Sequence, residues 1–295
     1  FSMYANTVFT CLPGLYVSGT REIVLVHVIR AADVPMPETL DRESMQYVRW
    51  KADEQLNIAR MALEGHGFHV TTRVDYGSPA QRIVEIAEEE RVHLLVIGAQ
   101  GTTLVEDLLL GSTTNEVIRR ARVPVLVEKC DTIREVGHIR CRLACERLFH
   151  RVLHPTDFSA SADAAFQLVK RLRFAGTKEV IVLHVQDERT MKHRPAEQIA
   201  EFDRVDNERL ETMGKALGHF GIQAQILLRH GVPFNETLKV ADEVDADTIV
   251  LGAVGRSTVQ QILLGSTLEN VVRISRRPVL VVRHEANRTL RGSRL

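Results

Sequence analysis

Two segments of this chain carry the residue types that grip an anion. Each reads Gly-Ala-x-Gly, nine further residues, then Gly-Ser-Thr: Gly98, Gly101 and Gly111-Ser112-Thr113 in one, Gly252, Gly255 and Gly265-Ser266-Thr267 in the other. Glycine lets backbone N–H groups approach an anion with no Cβ in the way. A helix opening at Gly-Ser-Thr adds unpaired N–H donors, the positive end of a dipole and two hydroxyls. Together the two parts would hold a di- or triphosphate. Glycines that end a strand also serve as plain turns, and a serine at a helix start as a plain N-cap. The recurrence of the whole spacing, in the same strand–turn–helix context, favours the phosphate reading. Arg256 directly follows the second glycine of the later copy, where the earlier copy has Thr102. It adds a cation within reach of a phosphate, or else a solvated surface charge.

The recurrence extends well beyond the motif. Residues 98–127 align without gaps to 252–281 at an offset of 154, with 16 of 30 pairs identical. Residues 19–28 align to 176–185 at an offset of 157, and Gly77-Ser78-Pro79 to Gly231-Val232-Pro233 at 154. An internal repeat of this length means two copies of one domain. Residues 148–157 have no partner in the first copy, so that copy is expected to begin one strand late, its first strand lying outside the given sequence.

The elements that would position the motifs alternate in period. Short apolar runs at 23–28, 94–97, 123–127, 152–154, 180–185, 248–251 and 279–282 read as strands buried on both faces, as in a parallel sheet. Between them lie helical patterns, including 8–15, strained by Pro13, and its counterpart 165–172. Charged amphipathic stretches cover 41–64 and 200–219, and Pro79 and Pro233 each open a helix. The order is that of a doubly wound α/β domain. Expected boundaries are 1–128 for domain 1, 129–147 for a linker with a helix across 139–147, 148–285 for domain 2, and a frayed tail at 286–295. The last strands, 123–127 and 278–282, are edges suited to antiparallel pairing between the repeats.

Composition narrows the classes. With 295 residues, 38 basic and 38 acidic side chains, the chain has no overall field for nucleic acid or an anionic membrane. Four cysteines (Cys11, Cys130, Cys141, Cys145) without a C-x-x-C pair form neither a disulfide framework nor a zinc signature, which fits reduced thiols in a cytoplasm. No P-loop and no Gly-x-Gly-x-x-Gly occurs. His150 and His154 would lie over about 12 Å apart on a strand, too far to share a metal. His27 and His184 end matching strands and read as packed histidines. The acidic run 242–247 reads as a solvated helix end, and any Mg²⁺ would arrive with a nucleotide.

Gly-x-x-Gly, nine residues, Gly-Ser resembles the nucleotide motif of the universal stress protein family, and His-Pro-Thr-Asp-Phe-Ser (154–159) resembles the end of that family's first strand. The likeness covers nearly the whole chain, twice. It implies two tandem Rossmann-like domains of the adenine nucleotide alpha hydrolase type, each a five-stranded parallel sheet with helices on both faces. It further implies ATP or AMP as the ligand. Asp157, beside Pro155 and Thr156, and the backbone at Val185 would take the adenosine part. Gly252, Gly255, Gly265, Ser266 and Thr267 would take the phosphates. The first copy offers Val28, Gly98, Gly101, Gly111, Ser112 and Thr113. The expected function is a cytoplasmic nucleotide-binding stress or signalling module, with intramolecular two-fold pairing of its domains and the option of a homodimer. A slow ATP hydrolase or adenylyl transferase is the alternative, although the motifs supply no base or nucleophile; a nucleotide-free scaffold is the third.

Overall fold

The computed structural model describes residues 12, 15–16, 18–33, 42–99, 110–135, 138–143, 147–253 and 264–283. The apolar runs form strands as expected, and in the second repeat they build one parallel sheet. Its strands are β7 (Arg151–Thr156), β8 (Glu179–Asp187), β9 (Gln223–Gly231), β10 (Thr248–Gly252) and β11 (Val279–Val282), ordered β11-β10-β7-β8-β9. Alternate side chains enter opposite layers. Val152, Val180, Val182, Val250 and Leu280 face one apolar cluster, while Leu153, Ile181, Leu183, Ile249 and Leu251 face another. Both faces are therefore buried, which is why these runs lack polar alternation.

Helices cover each layer. On the first lie α1 (Arg42–Glu64, through Leu56 and Leu63), α4 (Ala160–Arg171, through Ala165 and Val169) and α5 (Ala196–His219, through Leu210 and Leu217). On the second lie α2 (Pro79–Glu89), α3 (Ser112–Arg120), α6 (Pro233–Glu243) and α7 (Ser266–Ile274). Both clusters contain residues of both repeats.

The repeats share a sheet. β4 (Val125–Glu128) runs antiparallel to β11, with Val127 opposite Val279, Leu126 opposite Leu280 and Val125 opposite Val281, and β3 (Leu95–Gly98) pairs with β4 on its far side. All six residues at this junction are at most 2% exposed. The offset of 154 makes Leu126 and Leu280 equivalent, so a pseudo-two-fold axis passes between them. The expected antiparallel pairing between repeats is thus present.

A reciprocal contact flanks that axis. The Lys129 Nζ donates to the Val272 carbonyl, and the equivalent Arg283 donates through Nε to the equivalent Ile118 carbonyl at 3.3 Å. Each cation thereby meets the last turn of the other repeat's helix, where the helix dipole favours positive charge. Beside them, burial pushes Lys129 down to about 8 and the Glu128 carboxyl up to about 7.

Three expectations need correction. Among the described residues the first repeat does not form one continuous sheet: β1 (Glu22–Ile29) and β2 (His69–Tyr76) pair in parallel with each other, apart from β3 and β4. In the second repeat β7 bridges β8 and β10, whereas no described strand bridges β1 and β3, their counterparts. Second, β2 and β9 are strands without an apolar run. They end their ladders, and their half-exposed, alternating residues give no continuous hydrophobic signal. Third, the segment between the repeats is a hairpin of β5 (Cys130–Glu135) and β6 (His138–Leu143), so no helix begins at 139 and Cys141 lies on a strand. Ile139, Cys141 and Leu143 alternate with Arg140 and Arg142, a period of two that outranks helical spacing here. Pro13, Cys11 and Cys145 lie outside the described residues.

Candidate nucleotide site

The strand order of the second repeat reverses direction between β7 and β10. In open α/β sheets the crevice beyond the carboxyl ends of two such strands receives ligands. Here those ends are Asp157 and Gly252. The ladder between them is short, with only Val152 and Leu153 of β7 in register with β10, at Thr248 and Ile249. Beyond it a side chain takes over: buried His154 donates through Nδ1 to the Val250 carbonyl at 3.0 Å.

The motif closes on this crevice. The Gly265 N–H donates to the Ala253 carbonyl at 3.2 Å, and the Ala253 N–H donates to Val282 at 2.8 Å. The end of β10 is thereby tied to the start of α7. The first repeat repeats both bonds, Gly111 to Ala99 and Ala99 to Glu128, each at 2.9 Å. Gly265 and Gly111 are the N-cap residues of α7 and α3, and no side chain caps either helix. The N–H groups of the first turn are therefore left for an external acceptor. Ser266 and Ser112 are exposed at these starts.

Opposite, the turn after β7 is pinned. The Phe158 N–H donates to Thr156 Oγ1 and the Ser159 N–H to Asp157 Oδ1, both at 3.0 Å, while Phe158 adopts φ +58°. A left-handed phenylalanine is uncommon and must be held by its surroundings. The His184 ring lies 4.6 Å from the Phe158 ring centroid and donates through Nδ1 to the Thr156 carbonyl at 2.7 Å. Its Nε2 lies 3.3 Å from Asp206 Oδ2, which also accepts from Gln186 at 3.0 Å. His184 is thus a packed histidine that braces the Asp157 turn. Asp206 has Ala52 as its counterpart in the first repeat, so a carboxylate at this position is particular to the second. Repeat matching pointed to Phe158 and His184, but nothing local in the sequence pointed to Asp206.

Gly252 has a packing reason of its own. A Cβ there would fall 2.6 Å from the Ser161 carbonyl carbon and 2.7 Å from its oxygen, so β10 meets the first turn of α4 through glycine. Pro155 and Thr156 are buried within β7, and Val185 is half-buried near the end of β8. In the first repeat Gly98, Gly111, Ser112 and Thr113 converge as their counterparts do, and Thr114 Oγ1 donates to the Gly98 carbonyl at 2.7 Å. Val28 lies on β1, which is not paired with β3. Gly101, Thr102, Gly255 and Arg256 lie outside the described residues. Among the described residues no cluster of three or more His, Cys, Asp or Glu is placed to hold a metal ion, and no helix is long and apolar enough to cross a membrane.

His154 makes stability at this crevice depend on pH. Burial pushes its pKa down to about 4, so the folded ring is neutral while an unfolded one titrates near its ordinary 6.5. The unfolded state therefore binds the extra proton first, and stability falls as pH drops from 6.5 towards 4. Between pH 7 and 5 the loss from this group is about 2 kcal/mol. Glu128, raised by burial, slopes the opposite way between about 4.5 and 7. The difference between the parent and His154→Gln, followed by urea unfolding at both pH values, isolates the histidine; an unchanged difference would refute this account.

The model of the universal stress protein family matches residues 19–129 and 148–283. The chain belongs to that family. Universal stress protein MJ0577 of Methanocaldococcus jannaschii is 32% identical over 157 residues, covering 47% of this chain and 97% of that protein. Universal stress protein Mb2028c of Mycobacterium bovis is 25% identical over 284 residues, covering 88% of this chain and 87% of that one. A crystal structure of a universal stress protein from Archaeoglobus fulgidus superposes with a TM-score of 0.73 at 25% identity and covers 96% of each chain. These relatives account for the tandem universal stress protein domains and for the Rossmann-like fold.

Proposed function

We propose that the second repeat of this universal stress protein binds an adenine nucleotide, ATP or AMP, in the crevice between β7 and β10, as a cytoplasmic stress or signalling module. The observation that carries this reading is the uncapped start of α7 held one hydrogen bond from the end of β10, the strand beside β7, which ends at the braced Asp157 turn. In this reading phosphates take the first-turn N–H groups with Ser266 and Thr267, and Asp157 takes the nucleoside side. The same uncapped start at Gly111 supports a second, weaker site.

Gly265→Asp tests this. Gly265 has φ −65° and ψ 141°, which any residue adopts, and aspartate is a favourable N-cap. The new carboxylate occupies the N–H groups and repels phosphate. The melting temperature is expected to hold or rise while ATP affinity, by calorimetry, falls about tenfold or more, equivalent to about 1.4 kcal/mol. An undiminished affinity in a stable Gly265→Asp protein would refute the site. Release of ADP or AMP in the same samples would move the reading from binding to turnover.

A further inference from the structure

The helix α1 buries Ala52, Leu56, Ala59 and Leu63 against its sheet and presents a second apolar stripe on the opposite side. Tyr47, Trp50, Ile58 and Met61 are 59%, 57%, 66% and 67% exposed. With Glu54 they fall within about 80° of arc at 3.6 residues per turn. The rings of Tyr47 and Trp50 lie 6.1 Å apart. So large an exposed patch on one helix marks an interaction surface.

The fold itself does not require it. Leu56 and Leu63 match Leu210 and Leu217 of α5, so Tyr47, Trp50, Glu54 and Met61 match Glu201, Arg204, Glu208 and Lys215. In α5 three of these positions form an ion-pair network, Arg204 meeting Glu201 at 2.7 Å and Glu208 at 2.6 Å. One repeat is charged where the other is aromatic.

The spacing of the stripe identifies what covers it. The apolar residues stand four and seven positions before Glu54 and four and seven after it. Its apolar positions complement one another when the row is reversed, while Glu54 falls on the axis beside its own copy. In an isologous two-fold contact residue i meets j and j meets i, so an antiparallel copy centred on Glu54 sets Trp50 against the partner's Ile58 and Tyr47 against the partner's Met61. Lys51 borders the stripe and comes within reach of the partner's Glu54, twice by symmetry. We propose that this face is a homodimer interface, in which α1 packs antiparallel on α1 of a second copy about Glu54. The β4–β11 junction, already used inside the chain, stays untouched.

Trp50 is the only tryptophan of the chain, so its emission reports directly on the stripe. Across a dilution series of the full chain, sedimentation equilibrium is expected to show a mass moving from 33.2 kDa to twice that value, with Trp50 emission shifting to the blue in step. Trp50→Glu, at a surface position, is expected to weaken association about tenfold or more, as for a central interface tryptophan. Lys51→Glu alone should weaken it, and Lys51→Glu with Glu54→Lys should restore it. A single-chain mass at every concentration overturns the proposal. So does a dimer indifferent to Trp50→Glu, or a blue shift seen only with anionic vesicles, which would assign the stripe to a membrane surface.

Discussion

Val281→Asp is expected to cost about 4 kcal/mol or more and to part the two repeats. Val281 is 2% exposed, lies opposite Val125 across the junction, and also pairs with Leu251 of its own repeat. Removing a fully buried valine forfeits about 1.5–3 kcal/mol of burial. A carboxylate in its place must either lose its hydration or take up a proton, at a further cost of several kcal/mol. The sign with pH follows. Burial raises the pKa of the new carboxyl, so the penalty is full at neutral pH and shrinks as pH falls through that raised value. Urea unfolding of parent and variant at pH 7 and 5 measures both effects. A loss below about 1 kcal/mol, in the range of ordinary surface substitutions, would mean that this junction does not hold the repeats together.

Gly252→Ala is the second large effect. The added methyl would meet Ser161 Oγ at 2.6 Å and the Ser161 backbone at 2.6 and 2.7 Å; the hydroxyl could turn away, but the backbone yields only if the first turn of α4 moves. Overpacking of this kind costs about 1–3 kcal/mol, occasionally more. We expect about 3 kcal/mol, together with weaker nucleotide binding, because α4 begins at Ala160, three residues after Asp157. Ser161→Gly removes the Oγ but should rescue it only in part, since the carbonyl carbon and oxygen remain in the way. A Gly252→Ala protein that melts like the parent would show that α4 is free to slide. In that case Gly252 would have no packing role.

Much of this molecule was legible because the sequence states it twice. The spacing from Gly252 to Gly265, met again from Gly98 to Gly111, located both strand-to-helix ties, and the apolar runs located the central strands. What escaped was set by neighbours distant in the chain. β2 and β9 are strands because β1 and β8 offer them an edge, not because their own residues insist on it. Gly252 is confined by Ser161, and the turn at Asp157 is braced through His184 by Asp206, contacts that no local spacing announces. The hairpin at 130–143 does carry a local signal, an alternation of Ile139, Cys141 and Leu143 with arginines, but so short a run fits a helical period as well.

The cations crossing at Lys129 and Arg283 bear on how such a chain is inherited. In a dimer of two identical chains every change at the axis is made twice, and both faces must tolerate it at once. Joining the halves lifts that condition. Lysine on one side now answers arginine on the other, and buried Glu128 corresponds to Val282. A free copy of the first half pairing with itself would bury that carboxyl twice, while the joined chain buries it once. Each half is thus better matched to the other than to a copy of itself. The duplication, once made, is held in place by residues that no longer suit a return to symmetry.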